Sequence, residues 1–137
     1  MNDLFLKIIN GEIPSAKVYE DELTFAFMDI KPSNKGHVLV VPKAHYRNVL
    51  DINAEAFCAV MKTVHRLAPA IQKATGAHGI NIIMNNEAAA GQIIFHAHVH
   101  LVPRFEGDEV FQPAKHTSYE EGEIEKMAEA IKTNLAL

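Results

Sequence analysis

The sequence predicts an α+β fold: a mostly antiparallel sheet of about five strands, one long central helix and a helix at the C-terminal end. Two observations carry this expectation. Short apolar or alternating runs, bounded by turn residues, lie before and after one long stretch of helical periodicity. The order helix, strands, long helix, strands, helix suggests helices packed on one side of the sheet. A hydrophobic fraction of 48% over 137 residues suits a single domain over 1–137 with a packed core and no disulfides.

Asp3 can cap a short first helix running to about Ile9, closed by Asn10-Gly11 and stopped by Pro14. Lys17–Glu20 and Thr24–Asp29 read as strands joined by a turn at Asp21-Glu22, which makes a hairpin. Residues 31–36 have the turn chemistry of a loop. His37–Val41 is nearly all apolar, as a central strand is, and Pro42 ends it. From Asn53 to about Thr75, Phe57, Val60, Met61, Val64, Leu67 and Ile71 recur at helical spacing. Pro69 should kink or split that helix, and Gly76 should end it. Gly79–Met84 reads as a strand, Asn85–Gly91 as a small polar loop, and Ile93–Val102 as the last long strand, ended by Pro103. Ser118-Tyr119-Glu120-Glu121 matches a capping box opening a helix to about Asn134.

Composition narrows the function classes. Thirteen basic against 17 acidic residues give a net charge of −4, which argues against general affinity for nucleic acid or an acidic membrane. A local pocket can still bind one phosphate. The single cysteine, Cys58, excludes an intramolecular disulfide and a cysteine zinc site; its apolar surroundings suggest a small buried hydrophobe. The N-terminal residues do not form a signal peptide, and no run has the length to span a bilayer, so the cytoplasm is the expected compartment. Eight histidines are the compositional oddity.

Three of them stand at alternate positions in His96-Ala97-His98-Val99-His100. On a strand they share one face, while Ala97, Val99 and Leu101 share the other, whose apolar character marks the core side. Three readings compete: a solvated face, a metal site using two of the rings, and nucleophilic catalysis at phosphorus. The outer two rings lie about 13 Å apart along a strand, so one ion cannot take all three. A neutral imidazole can attack phosphorus, forming a P–N bond that water then breaks, and clustered rings disfavour one another's protonation. Asn85, Asn86 and Gln92 lie just upstream, with Gly91 permitting close backbone approach, and His37 opens another apolar strand as a fourth imidazole. Arg104 can pair with phosphate or be a plain surface charge.

At this point the chain resembles the histidine triad (HIT) family, whose signature is His-x-His-x-His followed by two apolar residues. The match is His96-Ala97-His98-Val99-His100-Leu101-Val102, preceded by Ala90-Gly91-Gln92 and followed by Pro103-Arg104. It extends upstream through Leu4–Ile9, Ile13-Pro14, Val18–Asp21, Ala26–Ile30 and Gly36–Lys43, in colinear order, and is most like the Hint-type branch and its bacterial relatives. The resemblance implies a HIT-like fold, with 106–137 as a divergent segment. It also implies that His98 is the nucleophile and becomes nucleotidylated. His96 and His100 would orient it and contact phosphate, and His37 would stand at the phosphate and leaving-group side. Asp29 would hold the ribose hydroxyls. Leu4, Ile8, Phe27 and Ile30 would form an apolar base pocket with Phe5 near its rim, and Asn85 and Gln92 would bind ribose or phosphate. The implied activity is hydrolysis of purine nucleoside phosphoramidates or related substituted nucleotides, by a homodimer, without a metal or other cofactor. Cleavage of dinucleoside polyphosphates, or a regulatory nucleotide-binding role with incidental catalysis, are the alternatives.

Two positions depart from the family pattern. Asp3 and Leu6 stand where many bacterial relatives have zinc-binding cysteines, so His45 and His96 alone should not hold zinc tightly. Ile93 stands where relatives often have a hydroxyl residue near the phosphate. Of the other histidines, His65 is expected to be exposed or packing on the long helix, and His78 lies in a turn. His116 sits in the divergent segment, from which substrate choice can be shaped.

Overall fold

The computed structural model describes residues 4–135. The chain runs α1 (Leu4–Ile9), β1 (Lys17–Glu20), β2 (Thr24–Met28), β3 (Val38–Pro42), α2 (Ala54–Thr75), β4 (Gly79–Ile83), a short 3₁₀ turn (Ala88–Ala90), β5 (Val99–Arg104) and α3 (Glu123–Thr133). The five strands form one antiparallel sheet in the order β1-β2-β3-β5-β4. The expected fold class and the β1–β2 hairpin are both present. The Asp3 cap lies outside the described residues.

Strand alternation divides the core in two. Ala26, Val38, Val40, Val99 and Leu101 face α2 and pack on Val60, Val64, Leu67 and Ile71. Phe25, Phe27, Leu39 and Val41 face the other way and pack on Phe5 of α1, with Leu4 and Ile8 beside them. The helices therefore cover both faces, not one. Phe5 accounts for the difference: one large aromatic ring lets a six-residue helix cover the second face. A buried hydroxyl pair, Thr24 Oγ1 and Thr63 Oγ1 at 2.8 Å, ties β2 to α2.

The long helix is a single element capped by the Asn53 side chain, which accepts from Ala56 N at 2.8 Å, and closed by Gly76 at φ 71°. It runs unbroken through Pro69, whose ring lies on the exposed side of the helix. Cys58, expected to be buried, is exposed. Gly36, at φ 102°, packs so closely on the end of α2 that a Cβ would lie 2.5 Å from Thr75 Cγ2. Only glycine fits this crossing of the loop before β3.

Two further expectations need correction. Pro103 lies within β5, paired with Ile80, and the strand continues to Arg104; Asn34 Nδ2 donates to the Pro103 carbonyl at 2.9 Å. The Ser118 capping box does not form. α3 begins at Glu123 behind Gly122 at φ 79°, and the Glu123 carboxylate accepts from Glu120 N, so the reciprocal bond is shifted past the glycine. No residue of α3 is buried, and Ile124, Met127 and Ile131 form an exposed stripe at helical spacing. Among the described residues no helix is long and apolar enough to cross a membrane.

Candidate active site

The largest departure from the expected elements falls on the histidine run. β5 begins only at Val99, so His96 and His98 precede the sheet ladder and only His100 stands on it, opposite Leu39 of β3. The rings still line up. His96 and His98 both make T-shaped contacts with Phe5, at centroid distances of 5.8 and 5.1 Å, and His98 meets His100 at 4.9 Å. His37, just before β3, closes the row with Nε2 2.9 Å from His100 Nδ1.

Hydrogen-bond partners assign the protons. A backbone N–H can only donate, so Ser33 N, 3.0 Å from His37 Nδ1, leaves the His37 proton on Nε2. That proton is donated to His100 Nδ1, which leaves the His100 proton on its own Nε2. A carbonyl can only accept. His98 Nδ1 therefore carries a proton, donated to the His96 carbonyl at 2.7 Å, and His98 Nε2 holds a bare lone pair. By the same logic His96 donates from Nε2 to the Pro42 carbonyl at 2.8 Å, and its Nδ1 accepts from His45 Nδ1 at 3.2 Å.

Burial favours the neutral form of His37, His98 and His100. It is the largest cause depressing the pKa of His37 and of His98, outweighing Asp29, whose charge pulls both upward. His100 is pushed down to about 4, first by burial and then by repulsion from His98 and His37. Asp29 stands at the edge of this group. One oxygen accepts from Lys31 N at 2.8 Å and the other lies 3.7 Å from His37 Nε2. Asp29, His37 and His100 bring three ligand-type atoms within 4.8 Å of one another. The Ser33 bond keeps a proton on the His37 nitrogen that would have to ligate, so this donor set suits proton transfer better than a cation.

The remaining expected site residues fall into two groups. Ile30 is 88% exposed beside Asp29, and Leu4 and Ile8 are half-buried at the edge of the Phe5 cluster. Asn85 lies against Gly91, with its Nδ2 3.7 Å from where a Cβ there would be. Phe27 and Phe5, by contrast, are core residues. Phe5 is 2% exposed and lies beneath the imidazoles, not at a rim. Gln92 is also internal. Its Nε2 donates to the carbonyls of Arg47 and Ile94, and its Oε1 accepts from Asn48 Nδ2 and Glu87 N. Both ends of its amide are therefore engaged within the protein. Arg104 is likewise occupied, by a two-pronged pair with Asp108 and a bond to Asn81.

Asn48, 1% exposed, and Glu87 carry no signal in the sequence, yet they join Gln92 in one network behind the histidines. Ile93 is 86% exposed on the loop before them. His65 and His116 are exposed, and His78 accepts from Glu106 N against the ring of Phe105.

Residues 10–107 match the HIT domain model. The chain belongs to the HIT family. It superposes on the crystal structure of a HIT-family protein from Bacillus subtilis with a TM-score of 0.93, at 38% identity, covering 100% of this chain and 99% of that one. An adenosine 5′-monophosphoramidase of Schizosaccharomyces pombe is 36% identical over 104 residues, 76% of this chain and 75% of that protein. An adenylylsulfatase of Arabidopsis thaliana is 43% identical over 105 residues, 77% of this chain; the match spans 53% of the plant protein's length. The triad that names the family is His96, His98 and His100, three of the four rings whose protons are assigned above.

The depressed histidines make stability depend on pH. Between about 4 and the ordinary 6.5 for His100, the unfolded chain binds more protons than the folded one, so stability rises with pH across that window. The contribution is complete above 6.5 and is lost as pH falls toward 4. Denaturant midpoints measured from about pH 7 to about pH 4.5 should fall more steeply for the wild type than for His100→Asn. Parallel curves would contradict a neutral, half-buried His100.

Proposed function

We propose that the chain hydrolyses purine nucleoside phosphoramidates, or nucleoside monophosphates carrying a comparable leaving group, through a covalent nucleotidyl-histidine on His98. The observation that carries the reading is the bare lone pair on His98 Nε2, beside neighbours kept neutral by burial. The two relatives' names point to the same class: one is a monophosphoramidase and the other an adenylylsulfatase.

In the first step Nε2 attacks phosphorus, a P–N bond to His98 forms, and the bond to the leaving group breaks. A leaving amine takes up one proton as it departs. In the second step water attacks phosphorus, the histidine bond breaks, and the proton from water returns to the relay. The proton balance over the cycle is therefore closed. His100 and His37, joined at 2.9 Å with Asp29 3.7 Å beyond, provide the route for that proton. The base lies against Ile30, Leu4 and Ile8, with the ribose at Asp29 and a phosphate oxygen or ribose hydroxyl at Asn85. Phe27 and Gln92 act from beneath.

His98→Asn should lower kcat by about a thousandfold or more while nucleoside monophosphate still binds, because base and ribose contacts are untouched. Near-normal turnover would exclude attack by His98. Asp29→Ala should raise KM for ribonucleotides more than for their 2′-deoxy analogues, and equal losses would remove Asp29 from the ribose.

The working form proposed is a two-fold homodimer. β4 is an edge strand, and an apolar groove between it and α2 is lined by Met61, Val64, Ala68, Pro69, Ile80 and Ile82. The α3 stripe buries nothing in its own chain. Sedimentation at micromolar concentration should give twice the chain mass; a single species near 15.2 kDa would refute the dimer.

A further inference from the structure

His96 and His98 precede the first ladder residue of β5, so the sheet does not hold their backbone. Residues 46–48 do. The Tyr46 carbonyl accepts from Ala97 N at 2.7 Å, the Arg47 carbonyl accepts from Gln92 Nε2 at 2.7 Å, and Asn48 Nδ2 donates to Gln92 Oε1 at 3.0 Å. The Arg47 guanidinium also lies 4.4 Å above the ring of Phe95.

Both segments are fastened to Glu87. Its backbone N–H donates to Gln92 Oε1 at 2.8 Å. Its carboxylate accepts from Asn48 Nδ2 at 2.7 Å and from two Arg47 nitrogens at 2.7 and 2.8 Å. To make these bonds Glu87 sits at φ 77°, ψ 159°, a conformation that is essentially the preserve of glycine. Glycine would occupy this backbone without strain, so what a glutamate adds here is its carboxylate. Strain of this kind clusters where a site is held in place by its surroundings.

We propose that Glu87, clamped by Arg47, is a positioning residue that fixes the 92–98 segment so that His98 presents Nε2 to phosphorus. The kinetic part rests on the hydrolase reading above; the geometric part does not. The path is short. The Glu87 carboxylate holds Arg47 and Asn48, Asn48 holds Gln92, Gln92 holds the Ile94 carbonyl and residue 47, and Tyr46 holds Ala97. The His96 carbonyl between these anchors is the group that keeps the His98 proton on Nδ1. Slackening the segment turns that carbonyl away, and Nε2 then carries the proton for part of the time and cannot attack. The Arg47 and Glu87 side chains are 51% and 41% exposed, so salt screens their attraction. Ionic strength thereby reaches the nucleophile through a pair that does not touch substrate.

Glu87→Gly is the informative variant, because it removes the carboxylate and leaves a backbone that glycine adopts freely. Ring nitrogen-15 NMR of His98 in the free protein reads the tautomer without any substrate. The wild type should hold the proton on Nδ1 and the variant should show a mixture. At saturating phosphoramidate, kcat should fall roughly tenfold or more, with the Kd for nucleoside monophosphate within about twofold of wild type. The wild-type kcat should decline with added salt and the variant's should not. Arg47→Lys should lie between the two, since an ammonium cannot reproduce the two-pronged fork. A Glu87→Gly protein with the wild-type His98 tautomer would overturn the inference, whether or not kcat falls, and so would an unchanged kcat. If the wild type hydrolyses no phosphoramidate, the tautomer measurement still decides this point while the hydrolase reading fails separately.

Discussion

The hydrogen bond from His98 Nδ1 to the carbonyl of His96, 2.7 Å long, is the interaction on which the rest of the site depends. It is made within the run itself, and it decides which nitrogen of the middle ring is free. The other assignments follow the same logic from opposite ends of the row. A backbone N–H at Ser33 fixes His37 and, through it, His100, while a backbone carbonyl at Pro42 fixes His96. Rings held by backbone groups of one strand and two loops cannot change tautomer without moving those groups.

The fold exists around this row in a specific way. α2 and the inner strand residues form a dry layer that makes β3 and β5 rigid. The opposite face is closed by Phe5, and its ring is the floor on which His96 and His98 rest. That floor lowers histidine basicity by excluding water, and burial is the leading cause at His37, His98 and His100. On the proposed reading, apolar packing and activation of the nucleophile are the same contact. The network of Asn48, Glu87 and Gln92 supplies what the sheet does not, a firm backbone for residues ahead of the first β5 pairing.

Much of this was legible in the sequence, for identifiable reasons. The nearly continuous apolar run of His37–Val41 and the apolar alternation through Val99–Leu101 mark two core strands, and His100 falls on the face it shares with Leu39. Asn53 and Gly76 mark the ends of α2 by their capping chemistry. What was not legible depends on contacts distant in sequence. Ile93 to His98 has a strand's composition, but the bonds that hold Gln92 and Ala97 come from residues 46–48 and 87, not from a neighbouring strand. Phe5 and Phe27 look alike as pocket residues and as core residues, and only packing separates them. Gln92 looked like a ligand-binding amide because nothing nearby in the chain shows that both ends of the amide are taken. Glu87 has no local mark at all, since its backbone conformation is set by Arg47, Asn48 and Gln92.

The proposed nucleophile, chosen by the position of a proton, predicts a particular covalent bond. Rapid quenching of the wild type during turnover of a purine nucleoside phosphoramidate, followed by peptide mass mapping, tests it most directly. The account predicts one nucleotidyl group on the peptide carrying residues 93–104, attached at His98 and absent from the same peptide of His98→Asn. A nucleotidyl group on another histidine, or turnover that continues with this peptide unmodified and stops on addition of EDTA, would contradict direct attack by His98.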